Sequence, residues 1–488
     1  MIPPALAGMA VFLLCGCGIM KKPDMSRTME IARLRKPSHP LIVIHGFLGS
    51  KLRDPQTGEV LWGTMANVLS HDQSHRLACS IESGGPEAGH EDLEPFALYG
   101  SLWGVEYYRK SMRILREAGG YQLGDIANPK PGDNVFVFLY DWRKDIVDSA
   151  QQLSRALDGL KRSLGDPDLK FDLLAHSQGG LLARYYAKYG SNDVLETPVL
   201  SRPTGEGARN LNKVILLGTP NQGTLEALRI LHQGVRKVFR PMPPSVTFTM
   251  PALYEMLPPA GSAVFADLQG KPVPLDLYDP ETWIREKLSV FSDEEQEAVK
   301  WKMRSAGANP AYLDTRNKKN LTFLGRILER ARRFQSALDA PSPEGQDVAY
   351  FAFGSDCIPT LKSAVVLEEK SGRKIYFEPE GHRHDRTGDR MSRILYGPGD
   401  GTVLMESLLN LPEIHGSPAA SLQAGVHLNS AFFFCESHGL LPNNPIFQSN
   451  LLYLLLYDSH PYAEHLSGLP SPSALETLRP AADPPCVV

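Results

Sequence analysis

Ala175-His176-Ser177-Gln178-Gly179-Gly180 is the stretch on which the fold of this chain turns. It follows the apolar run Phe171-Asp172-Leu173-Leu174 and precedes the helix-like Leu181-Leu182-Ala183-Arg184-Tyr185-Tyr186. A strand, a sharp turn and a helix in immediate succession hold a serine at the apex of a strained turn. Neighbouring backbones pass close to such a turn, so its flanking residues are small. Ala175 stands here where the first glycine is usual. The start of the following helix sets backbone N–H groups and a positive dipole end beside the hydroxyl. A serine held this way attacks an ester carbonyl when a base is within reach. Six residues match by chance often enough that the remainder of the chain has to decide.

Working outward, Leu41-Ile42-Val43-Ile44 reads as a buried strand that ends at His45-Gly46. Asn134–Tyr140 is a second, ending at Asp141-Trp142-Arg143. Asp145–Leu164 has helical spacing, with Ile146, Ala150, Leu153, Leu157 and Leu160 on one face. Lys213–Leu217 is a strand ending at Gly218-Thr219-Pro220, Val348–Phe353 another, and Ser430–Phe434 the last; Asn450–Tyr457 lies on a closing helix. Strands alternating with helices predict a mainly parallel sheet with helices on both faces, and reactive residues beyond the carboxyl ends of the strands. With the serine turn, this is the pattern of an α/β-hydrolase fold. The domain is expected over residues 39–457. A helical cap is expected as an insertion at about 224–345, with a second insertion at about 51–120. Residues 21–38 read as a polar, basic tether, and 458–488 as a loose tail rich in Pro, Ser and Ala.

The chain has 488 residues, 42% hydrophobic and 22% charged, which fits a globular protein with one large core. Its 51 basic and 55 acidic side chains leave a formal charge of −4, so it carries no basic footprint for nucleic acid. Residues 1–20 contain an apolar stretch, Leu6–Met20, too short to span a bilayer. Leu14-Cys15-Gly16-Cys17 resembles a bacterial lipobox, which makes Cys17 the expected lipidated N-terminus of an exported, membrane-anchored envelope protein. No Lys or Arg precedes the apolar run, where a signal peptide usually carries one. Beyond the leader, Cys79, Cys357, Cys435 and Cys486 are too widely spaced for a zinc site, and one or two disulfides fit an exported chain without the sequence giving their pairing.

A serine nucleophile needs a base, an orienting acid and an oxyanion hole. His438, just after the last strand, is the preferred base, because a loop there reaches back to Ser177. His427, before that strand, is the alternative and falls toward the wrong end of the sheet. Asp400, in Gly399-Asp400-Gly401, is the preferred acid, with Asp356 after Gly354-Ser355 as the alternative. The backbone N–H groups of Phe47, in His45-Gly46-Phe47-Leu48-Gly49, and of Gln178 are the expected oxyanion donors. This chemistry calls for no metal and no organic cofactor.

Taken together, Ile42–Leu52, Tyr140-Asp141-Trp142-Arg143, Ala175–Gly180, Gly399–Val403 and His438 resemble the lecithin:cholesterol acyltransferase family of α/β-hydrolases. His45-Gly46-Phe47 and Gly218-Thr219-Pro220 also resemble bacterial lipases. The resemblance implies acyl transfer from a lipid ester, a phospholipid or acylglycerol, through a serine acyl-enzyme, with water or an alcohol as acceptor and a lipid surface as the working environment. The chain departs from the family at the oxyanion loop, where His45-Gly46 replaces Pro-Gly, and at the lid, where Cys79 has no near partner in sequence. A small-ester carboxylesterase of the same fold and a non-catalytic lipid-binding envelope protein are the other readings the residues allow. Asp141-Trp142-Arg143 either carries part of the function that the resemblance implies or only fastens a strand end, with Arg143 in an ion pair. Leu321, Leu324, Ile327, Leu328, Ala331 and Phe334 recur at helical spacing among Arg326, Arg330, Arg332 and Arg333. Such a stripe either packs in the core or lies on an anionic membrane surface.

Overall fold

The computed structural model describes residues 23–457, apart from internal stretches of which the longest are 65–73, 82–91 and 412–425. The leader with Cys17 and the tail with Cys486 lie outside the described residues. The centre is a seven-stranded sheet of β1 (Leu41–Ile44), β2 (Leu123–Gly124), β3 (Val135–Phe138), β4 (Phe171–His176), β5 (Leu211–Leu217), β6 (Ala349–Gly354) and β7 (Ser430–Phe433), in the order β7-β6-β5-β4-β1-β3-β2. Every neighbouring pair is parallel. The continuous apolar runs follow from this, since a sheet covered on both faces buries both sides of each strand. In β1, Ile42 and Ile44 enter one core and Leu41 and Val43 the other.

The register sets the site. Ile44 lies opposite Phe138 and Ala175, Leu217 opposite His176 and Phe353, and Phe353 opposite Phe432. The chain therefore leaves β1, β4, β5, β6 and β7 along one rim, at His45, Ser177, Gly218, Ser355 and Phe434. This is the α/β-hydrolase fold.

Five helices build the layers nearest the sheet, α1 (Met25–Ala32), α2 (Arg109–Glu117), α3 (Ile146–Leu164), α4 (Gln178–Tyr189) and, after β7, Pro445–Leu456, while α5 (Leu225–Gln233) packs on Pro244–Thr247 and Pro251–Glu255. The Asp145 carboxylate caps α3 by accepting from Val147 N–H, and Gly165 ends it in the left-handed conformation. Its stripe of Ile146, Ala150, Leu153, Leu157 and Leu160 is buried, as the spacing predicts. On the other face, α2 and Pro445–Leu456 share a core.

Two segments differ from the sequence reading. Residues 25–32 are no loose tether: they form α1, with Asp24 as its cap, and dock Ala32, Met25 and Met29 into the core of the second face. Three apolar residues at helical spacing outweigh the basic ones around them. Residues 51–120 begin as a small antiparallel sheet (Ser50–Arg53 with Val60–Trp62 and Glu94–Leu98), but α2 leaves that insertion to pack against the main domain.

The region 224–345 is mainly helical and ends in the long helix α6 (Ala311–Asp339). Its stripe of Leu324, Ile327, Leu328, Ala331 and Phe334 is buried in the main core, so membrane contact through this stripe is ruled out. Leu321 is half-buried at its edge. The arginines have protein partners as well. Arg330 pairs with Asp145 and Asp193, Arg332 with Glu329, Arg333 donates to the carbonyl oxygens of Leu195 and Thr197, and Arg326 to that of Ile81. At the C-terminal end of α6, Arg184 and Lys188 of α4 donate to the Leu338 carbonyl, and Lys188 also to that of Ala340, so side-chain donors meet carbonyls that have no partner within the helix. Among the described residues no helix is long and apolar enough to cross a membrane.

Phe334 is fully buried and stacks on Tyr185 at 5.7 Å. Phe334→Ala is expected to lower the unfolding free energy in urea by about 3–5 kcal/mol. A loss within about 0.5 kcal/mol, the usual range for a surface position, would return the stripe to the surface.

Candidate active site

Ser177 sits at φ 56°, ψ −125°, a backbone region that residues with a Cβ rarely enter, at a cost of roughly 1–3 kcal/mol. Its surroundings fix it there. Its N–H donates to the Leu217 carbonyl at 2.8 Å, and its own carbonyl accepts from Gly180 N–H at 2.9 Å. Glycine is required on both sides of the turn. A Cβ on Gly179 would meet the His45 oxygen at 2.5 Å, one on Gly180 the Thr219 hydroxyl at 1.9 Å, and one on Gly46 the Ser177 Cβ at 2.7 Å. Ala175, one residue before His176, is fully buried, so the first position needs a small side chain and tolerates a methyl group.

Three of the residues chosen from sequence come together at this serine. The Ser177 hydroxyl lies 2.9 Å from His438 Nε2, and His438 Nδ1 lies 2.7 Å from Asp400 Oδ2. Asp400 follows Tyr396–Gly399, which pairs antiparallel with the distant Ile358–Leu361, and Gly401 turns the chain at φ 89°. Its other oxygen accepts from the N–H groups of Thr402 at 2.9 Å and Val403 at 2.7 Å, so the carboxylate is aimed at the imidazole by its own loop. His438 N–H donates to the Asp400 carbonyl at 2.9 Å, which ties the two loops through the main chain. The alternatives lie elsewhere. His427 is exposed before β7, at the far end of the sheet from Ser177, and Asp356 is exposed on its loop.

The loop after β1 faces the serine from the other side. Gly49 N–H closes a turn onto the Gly46 carbonyl at 3.0 Å, and Leu48 takes φ 63°. The Phe47 ring packs edge-on against Trp142 at 4.9 Å, and the Gln178 side-chain amide donates to the Trp142 carbonyl. The backbone N–H groups of Phe47 and Gln178 make no hydrogen bond among the described residues. Arg143, fully buried, grips the Asp141 carboxylate with two nitrogens at 2.9 and 2.6 Å and donates to the Leu77 carbonyl, which fastens the end of β3 as the ion-pair reading expects.

Sequence reasoning gave several neighbours no part. His45 is fully buried and stacks on Tyr140 at 4.3 Å; its Nδ1–H donates to the Gly46 carbonyl and its Nε2 accepts from Tyr140 N–H. Its place in a Gly-rich loop after a strand was a visible signal. His176 and Tyr108 meet behind the serine, and only the chain path brings residue 108 there. The disulfide pairs Cys357 with Cys435, bridging the start of Ile358–Leu361 to the loop that carries His438. It closes a ring spanning 78 residues, worth about 4 kcal/mol if it acts by limiting unfolded-chain entropy. Cys79 is buried outside this bridge, its N–H donating to the Thr249 hydroxyl.

No family model matches the chain, and no curated protein matches it. Among solved structures, a chain of the Tle4–Tli4 complex is 14% identical, covering 85% of this chain and 97% of that one, with a TM-score of 0.46. EstA from Clostridium botulinum is 14% identical over 87% of this chain and 88% of its own, with a TM-score of 0.34. Lipase 1 from Pelosinus fermentans is 13% identical over 87% and 100%, also at 0.34. The resemblance to the lecithin:cholesterol acyltransferase family rests on the sequence motifs.

Burial holds the pKa of His45 down from 6.5 to about 4, against smaller opposing effects from the Gly46 carbonyl, Asp141 and the Tyr140 backbone. The unfolded chain takes up this proton as pH falls from 6.5, whereas the folded protein takes it up only near 4. The stabilising contribution is therefore complete above pH 6.5 and lost on the way down to 4, a change of about 3 kcal/mol. Urea unfolding of the wild type and His45→Gln at pH 7 and pH 4 is expected to show a pH dependence smaller in the variant by about that amount. Equal pH dependence would mean that His45 is not held neutral.

Proposed function

We propose that this protein is a serine-dependent lipid ester hydrolase or O-acyltransferase that works through an acyl-enzyme. The observation that carries this is the continuous chain from Asp400 through His438 to the Ser177 hydroxyl, at 2.7 and 2.9 Å, on a serine held at positive φ. Ser177 Oγ attacks the acyl carbonyl carbon while His438 Nε2 takes its proton. The carbonyl oxygen gains a negative charge and is met by the N–H groups of Phe47 and Gln178, the latter at a helix start. His438 then returns the proton to the leaving alcohol oxygen as that bond breaks. In the second half, His438 deprotonates water or an acceptor alcohol, which releases the acyl group and restores Ser177. Asp400 stays ionised throughout, keeping the proton of the neutral imidazole on Nδ1 and stabilising the imidazolium.

The set of motifs shared with the lecithin:cholesterol acyltransferase family supports a lipid acyl donor. The Cys357–Cys435 disulfide supports an oxidising compartment, in keeping with export and a lipid anchor on Cys17 at the cell envelope. A lipid surface is the partner that follows from both.

The test is labelling of folded protein with a fluorophosphonate, followed by hydrolysis of phospholipid and acylglycerol micelles with and without added alcohols. Labelling is expected in the wild type and in His427→Ala, and is expected to be lost in Ser177→Ala and His438→Ala. Asp400→Asn is expected to lower kcat by about 10⁴-fold, because the imidazole is no longer held in the useful tautomer. A preference for dispersed short-chain esters over micelles would make the protein a small-ester carboxylesterase. A serine inert in folded wild type even with micelles present would overturn the enzyme reading and leave a lipid-binding protein.

A further inference from the structure

His176 and Tyr108 lie directly behind the reacting residues and take no part in the steps above. His176 ends β4 and immediately precedes the nucleophile; Tyr108 immediately precedes α2. Both are buried. The Tyr108 hydroxyl is 2.8 Å from His176 Nδ1 and 3.4 Å from the Gly46 nitrogen, and His176 Nε2 is 3.2 Å from the carbonyl oxygen of His438.

The partners dictate where each proton sits. A carbonyl oxygen only accepts, so His176 Nε2 carries a hydrogen. Burial, reinforced by the neighbouring His438, holds His176 well below its ordinary pKa, so the ring carries one proton and Nδ1 is an acceptor. Tyr108 therefore donates to Nδ1, and its oxygen is left to accept from Gly46 N–H. The line runs one way, from the loop after β1, through the phenol and the imidazole, to the main chain of the base.

We propose that Tyr108 and His176 form a positioning pair that sets the His438 loop and the Gly46-Phe47 loop against each other across Ser177. The proposal rests on Ser177 and His438 being nucleophile and base. The His438 main chain is held on both sides, its N–H by the Asp400 carbonyl and its C=O by His176. Gly46 N–H, at the other end of the line, is one peptide before the Phe47 N–H that meets the oxyanion. A shift of the phenol thus moves base and oxyanion donor together, and placement errors of about 1 Å can cost 100-fold in rate. The imidazole rings of His176 and His438 are 4.9 Å apart, so a neutral His176 spares His438 a repulsion when it takes the serine proton. The small void beside the pair, about 10 Å³, is walled by Val43, Met112, Leu174 and Leu217, and the Ser111 hydroxyl that also lines it already donates to the Pro442 carbonyl.

The experiment compares wild type, Tyr108→Phe, His176→Gln and His176→Ala, measuring the rate of fluorophosphonate labelling and kcat and KM for p-nitrophenyl esters per labelled serine. Tyr108→Phe and His176→Ala are expected to lose about 10- to 100-fold in kcat and in labelling rate, with KM within about twofold. His176→Gln keeps a side-chain N–H for the His438 carbonyl and is expected to recover part of the loss seen in His176→Ala. A merely structural role would lower the folded fraction and leave kcat per labelled serine unchanged; that result in Tyr108→Phe overturns the proposal, whether or not the His176 variants fold. Wild type that does not label at all defeats the nucleophile reading itself, a different failure from a wild type and Tyr108→Phe that label alike.

Discussion

The strained backbone of Ser177 is the constraint around which the rest is arranged. An L-residue at φ 56° returns toward ordinary geometry unless its neighbours leave it no room. Here Leu217 on β5 takes its N–H, Gly46 on the loop after β1 lies against its Cβ, and Gly179 and Gly180 let the helix start against His45 and Thr219. Three adjacent strands thus converge on one residue. The cost is borne by the packing of a fully buried parallel sheet, and the result is a hydroxyl fixed in direction before any substrate arrives.

Helix α4 carries this constraint across the molecule. Its first turn supplies Gln178, whose N–H faces the site and whose side chain holds the Trp142 carbonyl. Its last turns supply Arg184 and Lys188, which hold the end of α6. The same helix therefore holds the serine turn at one end and anchors the cap at the other. Arg330 of α6 in turn binds Asp145, the cap of α3, so the cap is tied to both helices that flank β4. Three of the four arginines that suggested a membrane face in the sequence, Arg326, Arg330 and Arg333, fasten α6 to other segments, whereas Arg332 pairs with Glu329 on the same helix.

What the sequence made legible was local or ordered along the chain. The four apolar residues of β1, the stripe on α3 and the small-residue turn at Ser177 each show their structure within a few positions. His438 followed from chain order and from the rule that loops after strands share a rim, and Asp400 from its Gly-flanked turn together with the family resemblance. What stayed hidden needed distant partners. The amphipathic stripe of α6 looks the same whether a bilayer or a protein core covers it, and only the packing of Phe334 on Tyr185 decides. The docking of α1 depends on Pro445–Leu456, more than 400 residues away. The pairing of Cys357 with Cys435 depends on the parallel placement of β6 and β7, which brings their ends level.

The position of β7 at the sheet edge bears on how the protein is made. Ser177 and His438 are separated by 261 residues, and β7, which precedes the His438 loop, is the last strand among the described residues and pairs there only with β6. Domains form progressively as a chain is synthesised from its N-terminus. The serine turn, with β1, β4 and β5 around it, can be assembled while the final strand has yet to emerge. Until β7 docks, that turn holds a hydroxyl without the His438 imidazole beside it. The hydrogen-bonded chain from Asp400 through His438 to Ser177 is thus completed only after β7 joins the sheet, and the serine turn is shaped early and gains its imidazole late.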